Sequence, residues 1–208
     1  MGGRLSKPGA SVRTFIAVPI PRSVQDELGR VQDNFVGHAS VLKWVNPDLL
    51  HITLRFLGAT PAERLQAVRT AVCNAAAELA PFTLRLSGLG AFPSISRPRV
   101  VWAGLAGGAG LLELEHLYDL VERGLEAHGF AAEERAFSPH ITLARTRDTM
   151  TRDDRAGLAA TLDNVKARTR LEQTFDVDRV HVMRSDPRPA GPVYTPIATL
   201  ALDGKGAS

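Results

Sequence analysis

Two of the six histidines in this chain sit in identical surroundings, His51-Ile52-Thr53-Leu54 and His140-Ile141-Thr142-Leu143, which begin 89 positions apart. Polar and apolar residues alternate in both copies, the pattern of a half-buried β-strand. Residues i and i+2 of a strand face the same way. His51 therefore shares a face with Thr53, and His140 with Thr142, while Ile52, Leu54, Ile141 and Leu143 back them on the core side. Two such strands, brought together, make a cleft with two imidazoles and two hydroxyls. Imidazoles titrate near neutrality, so a pair can serve one displacement as base and acid. At phosphorus the entering and leaving oxygens lie roughly in line on opposite sides. One ring cannot reach both; two rings on opposed strands can. Neighbouring hydroxyls can donate hydrogen bonds to the nonbridging oxygens as charge shifts. A single His-x-Thr is commonly a satisfied strand histidine beside a β-favouring threonine. The matched context in two places is what makes these four residues a candidate catalytic set. His38, His116, His128 and His181 lack that context and read as structural or surface residues.

The scheme needs no metal, and the sequence offers no cysteine cluster, no His-Glu-x-x-His and no carboxylate pair near either motif. Cys73 is the only cysteine, which excludes a disulfide framework within one chain. A net charge of +3 and a pI near 9.4 suit an anionic substrate but are too mild for a protein that coats DNA. Nearly all the positive charge is Arg, whose planar fork matches phosphate. With 44% hydrophobic and 23% charged residues in 208, the chain reads as globular, with a sizeable core. No apolar run is long enough to span a membrane and no signal-peptide pattern is present, so a cytoplasmic protein is expected; it is separately expected to be a monomer. Met1 to Ser6 fits the loose pattern for N-myristoylation, but a flexible tail is the expectation for residues 1–11, and again for 204–208.

Between the tails, residues 12–203 are expected to form one bilobal domain. Thr14 to Ile20 reads as a strand closed by prolines, and Arg22 to Phe35 as a helix with Val24, Leu28, Val31 and Phe35 on one stripe. Val41 to Val45 is short and extended. His51 to Leu57 is a strand that Gly58 ends. Thr60, Pro61 and Glu63 read as the capped start of a helix to Ala80. Phe82 to Leu89 and Arg99 to Leu105 are strands flanking a loop, Gly90 to Pro98. A glycine-bearing turn, 107–110, leads into a helix over Leu111 to His128, with Leu114, Leu117, Tyr118, Val121 and Leu125 inward. Thr149 to Val165 is a further helix, and Gln173 to Arg184 and Val193 to Leu202 are the last strands. The spacing lacks the uniform strand–helix–strand repeat of a parallel fold. The expected class is α+β: two similar lobes, each a mainly antiparallel sheet with helices outside, around a central cleft carrying the two His-x-Thr strands.

The chain resembles the two-histidine (2H) phosphoesterases, specifically the RNA 2′,3′-cyclic phosphodiesterases, also called LigT-like or 2′-5′ RNA ligase-like proteins. The resemblance rests on Arg13 to Val18, on Lys43-Trp44-Val45 through Leu50-His51-Ile52-Thr53-Leu54 to Phe56-Leu57-Gly58, and on Pro98-Arg99-Val100-Val101-Trp102. It continues in Phe137-Ser138-Pro139-His140-Ile141-Thr142-Leu143-Ala144-Arg145 and in Ser185 with Gly191-Pro192-Val193-Tyr194. It implies hydrolysis of an RNA 2′,3′-cyclic phosphate end to a 2′-phosphomonoester, with no cofactor. It implies His51 as proton donor to the leaving 3′ oxygen and His140 as the acceptor that activates water. Thr53 and Thr142 would bind phosphate oxygens, and Phe15 and Arg145 would flank base or phosphate. The polar Arg184 to Pro189 stretch departs from the family pattern. Arg145 lies at odd parity to His140, so it reaches the cleft only if the strand ends or bulges before it. Arg55 has the right parity and is a rival phosphate contact. Two other functions stay open at this point: an RNA- or tRNA-binding module with little turnover, and a phosphodiesterase on a small cyclic nucleotide or nucleotide-sugar cyclic phosphate.

Overall fold

The computed structural model describes residues 9–189 and 191–204, so the Met1 to Ser6 pattern lies outside the described residues. The described strands are β1 (Ser11–Pro19), β2 (Leu42–Trp44), β3 (His51–Pro61), β4 (Phe82–Ser94), β5 (Arg97–Leu105), β6 (Ile141–Thr146), β7 (Thr174–Val177), β8 (Arg179–Asp186) and β9 (Val193–Ala201). The helices are α1 (Arg22–Asp33), α2 (Leu65–Glu78), α3 (Ala109–Ala127) and α4 (Arg152–Arg168). Every strand pairing is antiparallel, in the order β7-β4-β5-β6-β3-β1-β8-β9, with β2 added to β6.

The sheet divides where β3 meets β6. Those two strands share a single register pair, Ile52 opposite Ile141, whereas β1 and β3 pair over their whole length. The result is the expected α+β architecture of two lobes, β9-β8-β1-β3 and β6-β5-β4-β7, joined at a seam beside both histidines. α2 packs on β8 and β9, while α3 and α4 pack on the lobe that holds β4 and β5. α2 and α3 touch closely across the two lobes: a Cβ on Gly124 would come within 3.1 Å of the Ala71 Cβ. Ile52, Ile141 and Leu143 are fully buried, and Leu54 nearly so, as the alternation predicts. The stripe Val24, Leu28, Val31 and Phe35 of α1 is likewise buried. No helix among the described residues is long and apolar enough to cross a membrane.

Several boundaries differ from the sequence expectation. β3 does not stop at Gly58; the strand continues to Pro61, with Gly58 at φ 65°, a backbone that favours glycine. Thr60 therefore does not cap a helix. It pairs with Val12 in the sheet, and α2 starts at Leu65 after a short 3₁₀ turn, Ala62–Arg64. Gly90 to Pro98 is not a loop but the two arms of a hairpin. Gly90 is required there: a Cβ would sit 2.2 Å from the Trp102 ring, which lies over it. The expected strand from Gln173 to Arg184 is two strands, β7 and β8, interrupted at Asp178. The last hairpin runs further than expected, with Ser185 opposite Tyr194 and Asp186 opposite Val193.

Candidate active site

The two histidines are held in the same way. His51 opens β3 just after a 3₁₀ turn, Pro47–Leu49, whose start is fixed by the Asn46 side chain accepting from the Asp48 N–H. His51 Nδ1 lies 2.7 Å from the Leu49 carbonyl, two residues back. His140 stands immediately before β6, and its Nδ1 lies 2.7 Å from the Ser138 carbonyl, also two residues back. A carbonyl oxygen only accepts, so both Nδ1 atoms carry a proton. Each Nε2 is then left as a lone pair in the neutral ring and an N–H donor in the imidazolium.

Each imidazole also sits between two aromatic rings. His51 has Phe15 at 5.1 Å and Tyr194 at 5.6 Å between centroids. His140 has Phe92 at 4.9 Å and Trp102 at 6.4 Å. Burial pushes both histidines below their ordinary pKa, and the Nδ1 hydrogen bonds oppose that shift only in part. His140 lowers His51 further by like charge, and Arg145 does the same to His140. The rings thus sense each other, and the pair takes one proton more readily than two.

A register break decides which residues join them. Between Val101 and Trp102 of β5, the partner strand β6 advances from Ala144 to Thr142, leaving Leu143 as an extra residue. β3 does the same against β1, advancing from Arg55 to Thr53 past Leu54. One extra residue reverses the facing of everything beyond it. Arg145 therefore turns into the cleft despite its parity with His140. In the first strand the residue 89 positions earlier, Phe56, occupies the equivalent place. Arg55 is turned away: it is 8% exposed, pairs with Glu122 and Glu133, and does not line the cleft.

The cleft encloses about 460 Å³. His51, Thr53, His140, Thr142 and Arg145 line it together. Phe15 does not; it is 2% exposed and packs beneath His51, walling a separate hollow of about 230 Å³ on the far side of that ring. The sequence reading gave no site role to five aromatic walls, Phe56, Phe92, Tyr118, Phe137 and Tyr194. Phe56 was findable, because it stands at the same offset from Arg145 as His51 from His140. Tyr118, expected inward, is half-buried, and its ring stacks on Phe137 at 4.1 Å. Among the described residues no group of three or more His, Cys, Asp or Glu is gathered in a way that could hold a metal ion.

Residues 20–189 match the model of the 2′-5′ RNA ligase superfamily. The chain belongs to that superfamily. An RNA 2′,3′-cyclic phosphodiesterase of Methanothermobacter thermautotrophicus is 31% identical over 193 residues, covering 92% of this chain and 99% of the relative. One of Thermus thermophilus is 34% identical over 197 residues, covering 93% and 92%. Among solved structures, a Thermus thermophilus protein superposes with a TM-score of 0.72 at 31% identity, covering 94% of this chain and all of that one. E. coli LigT complexed with 3′-AMP gives 0.70 at 25% identity, covering 92% and 98%. The family expected from the two motifs and their flanks is thereby borne out, as is the fold.

Proposed function

We propose that this protein hydrolyses RNA 2′,3′-cyclic phosphate ends to 2′-phosphomonoesters, by general acid–base catalysis between His51 and His140 and without a metal. The observation that carries the reading is the matched pair of imidazoles in one cleft, each with Nδ1 committed to a carbonyl and Nε2 left for proton transfer. The near-full-length relatives named for this activity support the substrate class.

In this reading His140 Nε2 takes a proton from water as its oxygen bonds to phosphorus. The bond from phosphorus to the 3′ oxygen breaks, and His51 Nε2–H gives that oxygen its proton. The product has a 2′-phosphate and a free 3′ hydroxyl. Thr53 and Thr142 donate to the nonbridging oxygens, and the Arg145 guanidinium balances their charge as it shifts. With a 5′ hydroxyl in place of water the same groups in the same roles would form a 2′-5′ linkage: His140 takes the hydroxyl proton as its oxygen bonds to phosphorus, the bond to the 3′ oxygen breaks, and His51 protonates that oxygen. Phe15 serves beneath His51, as support for the ring. The chain is taken to act as a cytoplasmic monomer, which light scattering would test.

The deciding experiment is turnover of a 2′,3′-cyclic mononucleotide and of an oligoribonucleotide ending in that phosphate, with EDTA present. A 2′-phosphomonoester at full rate in EDTA is expected. Binding of RNA without turnover would make the chain a binding module instead. Activity restored only by a divalent ion would end the two-histidine scheme, and turnover of the mononucleotide alone would move the substrate to small cyclic nucleotides.

A further inference from the structure

Arg55 is a buried guanidinium on an otherwise apolar stretch of β3, four residues beyond His51. Burying a charge is costly unless its partners repay it, and an apolar residue of similar size would usually serve stability as well. Its contacts all lead toward the second histidine. The connection from α3 to β6 runs over residues 128–140, and from 130 to 140 it has neither helix nor strand. It ends in Ser138 and His140, and it supplies Glu133, Arg135 and Phe137 to the cleft wall. Arg55 Nη2 donates to the Ala131 carbonyl at 2.6 Å, and Nη1 reaches Glu133 Oε2 at 3.0 Å. Its Nε faces Glu122 Oε1 of α3 at 3.4 Å, and the other oxygen of Glu122 accepts from the Glu133 N–H at 3.2 Å. Residues 131 and 133 are thus held by two side chains, through hydrogen bonds at a carbonyl and an amide and an ion pair at a carboxylate. One of those side chains stands on the strand of the first histidine.

We propose that Arg55 is a positioning residue: it ties the His51 strand to the connection that ends in His140, and so sets the aim of His140 across the cleft. The lobes give little help there, since β3 and β6 share one register pair. A planar fork can hold a carbonyl and two carboxylates at once; a lysine ammonium cannot match that geometry. The inference rests on the reading of the cleft as a two-histidine site.

Arg55→Met alone would strand the Glu122 and Glu133 carboxylates, so a loss there could be mere unfolding. The informative protein is Arg55→Met with Glu122→Gln, which removes opposite charges together and leaves Glu133 its contacts with Arg135. Its melting temperature should lie close to wild type, while kcat/KM on a cyclic phosphate falls about 100-fold, the scale of a misplacement near 1 Å. Most of that loss should fall in kcat, and Arg55→Lys in place of Arg55→Met should recover only part of it. The second readout needs no substrate. The Ser138 hydrogen bond raises the His140 pKa against burial and against Arg145, with His51 the other titrating ring nearby. A loosened connection should lower the His140 titration midpoint, followed by NMR of the imidazole, in the double variant. Wild-type kcat/KM together with an unmoved His140 midpoint would overturn the proposal and leave Arg55 a packing residue. If the wild-type protein turns over no cyclic phosphate, the functional reading fails, while the NMR titration still decides the strap.

Discussion

Replacing each histidine by alanine, and then changing the leaving group, separates the acid from the base. A positioned proton-transfer group contributes roughly 10²–10⁴ in rate, or about 3–5 kcal/mol of barrier at 1.36 kcal/mol per tenfold. Both rings are tethered by a 2.7 Å hydrogen bond and flanked by two aromatics, so little reorganisation is left for the reaction to supply. The losses should sit in the upper half of that range. The fold should survive with some loss of stability, because alanine frees the Leu49 or Ser138 carbonyl to water, which replaces a bond worth about 1 kcal/mol, and gives up the ring's contacts with two aromatic neighbours at the wall of an open cleft. On a 2′,3′-cyclic mononucleotide both variants should be impaired alike. On an activated aryl phosphodiester the leaving oxygen needs no proton. His51→Ala should then recover most of its lost rate, and His140→Ala should not, since water must still be deprotonated. Initial rates on the two substrates, with circular dichroism to check the fold, give the answer. Rescue of His140→Ala instead would reverse the two roles. Wild-type rates in both variants would remove the two-histidine mechanism.

The lowered pKa of both rings fixes the pH response. kcat/KM should be bell-shaped, and its falling limb, where the acid loses its proton, should lie below the ordinary histidine value near 6.5; a profile flat to pH 8 would contradict it. The same depression makes the unfolded chain the better proton acceptor, so stability contributed by His51 is present above about pH 6.5 and is lost as pH falls through the folded value. His51→Gln should flatten that slope in urea titrations. Phe15→Ala should cost roughly 3–5 kcal/mol in the same titrations, because a buried ring is removed from between His51, Phe56 and Tyr194. Arg145→Met should lower kcat/KM on a cyclic phosphate about 100-fold, by analogy with loss of one oxyanion donor, and Arg145→Lys should recover part of it; an unchanged value would exclude Arg145 from the phosphate.

The seam of this fold was legible because alternation is a strong signal over four residues. Ile52, Leu54, Ile141 and Leu143 are buried where period two puts them. Beyond the fourth residue the signal fails in both strands, at Leu54 and at Leu143, because one unpaired residue carries no mark in composition. Leu54 and Arg55 are consecutive buried residues, as are Leu143 and Ala144, which no simple alternation allows. Parity alone therefore favours Arg55 over Arg145 for the cleft, and the strands place them the other way. Thr60 misled for a different reason. Thr60-Pro61-Ala62-Glu63 is a sound helix start locally, but pairing with Val12 holds it in the sheet, and tertiary pairing outweighs a cap worth about 1 kcal/mol. Gly90 to Pro98 carries loop composition yet only Ile95 and Ser96 turn; Gly90 to Ser94 pair with β5, and the glycine is there for the Trp102 ring rather than for a turn.

The two register breaks also explain how a repeated motif yields an unequal site. Up to the threonines the halves match: the same carbonyl tie, the same imidazole, the same hydroxyl. A cleft with two equal halves would accept a cyclic phosphate in either direction, and neither histidine would be acid or base by position. Past each break the equivalent places are taken by Phe56 and Arg145. One wall is then an apolar ring, 55% exposed, and the other a cation. In the proposed reaction the anionic phosphate would be drawn to Arg145 by its charge and the flat base to Phe56 by its ring, which would give the substrate one favoured orientation. The same Arg145 opposes a proton on His140, and does so from the His140 side of the cleft. If His140 is the base of the proposed reaction, its neutral form is the one that accepts a proton from water, and the charge proposed to orient the substrate would also favour that state of the ring beside it.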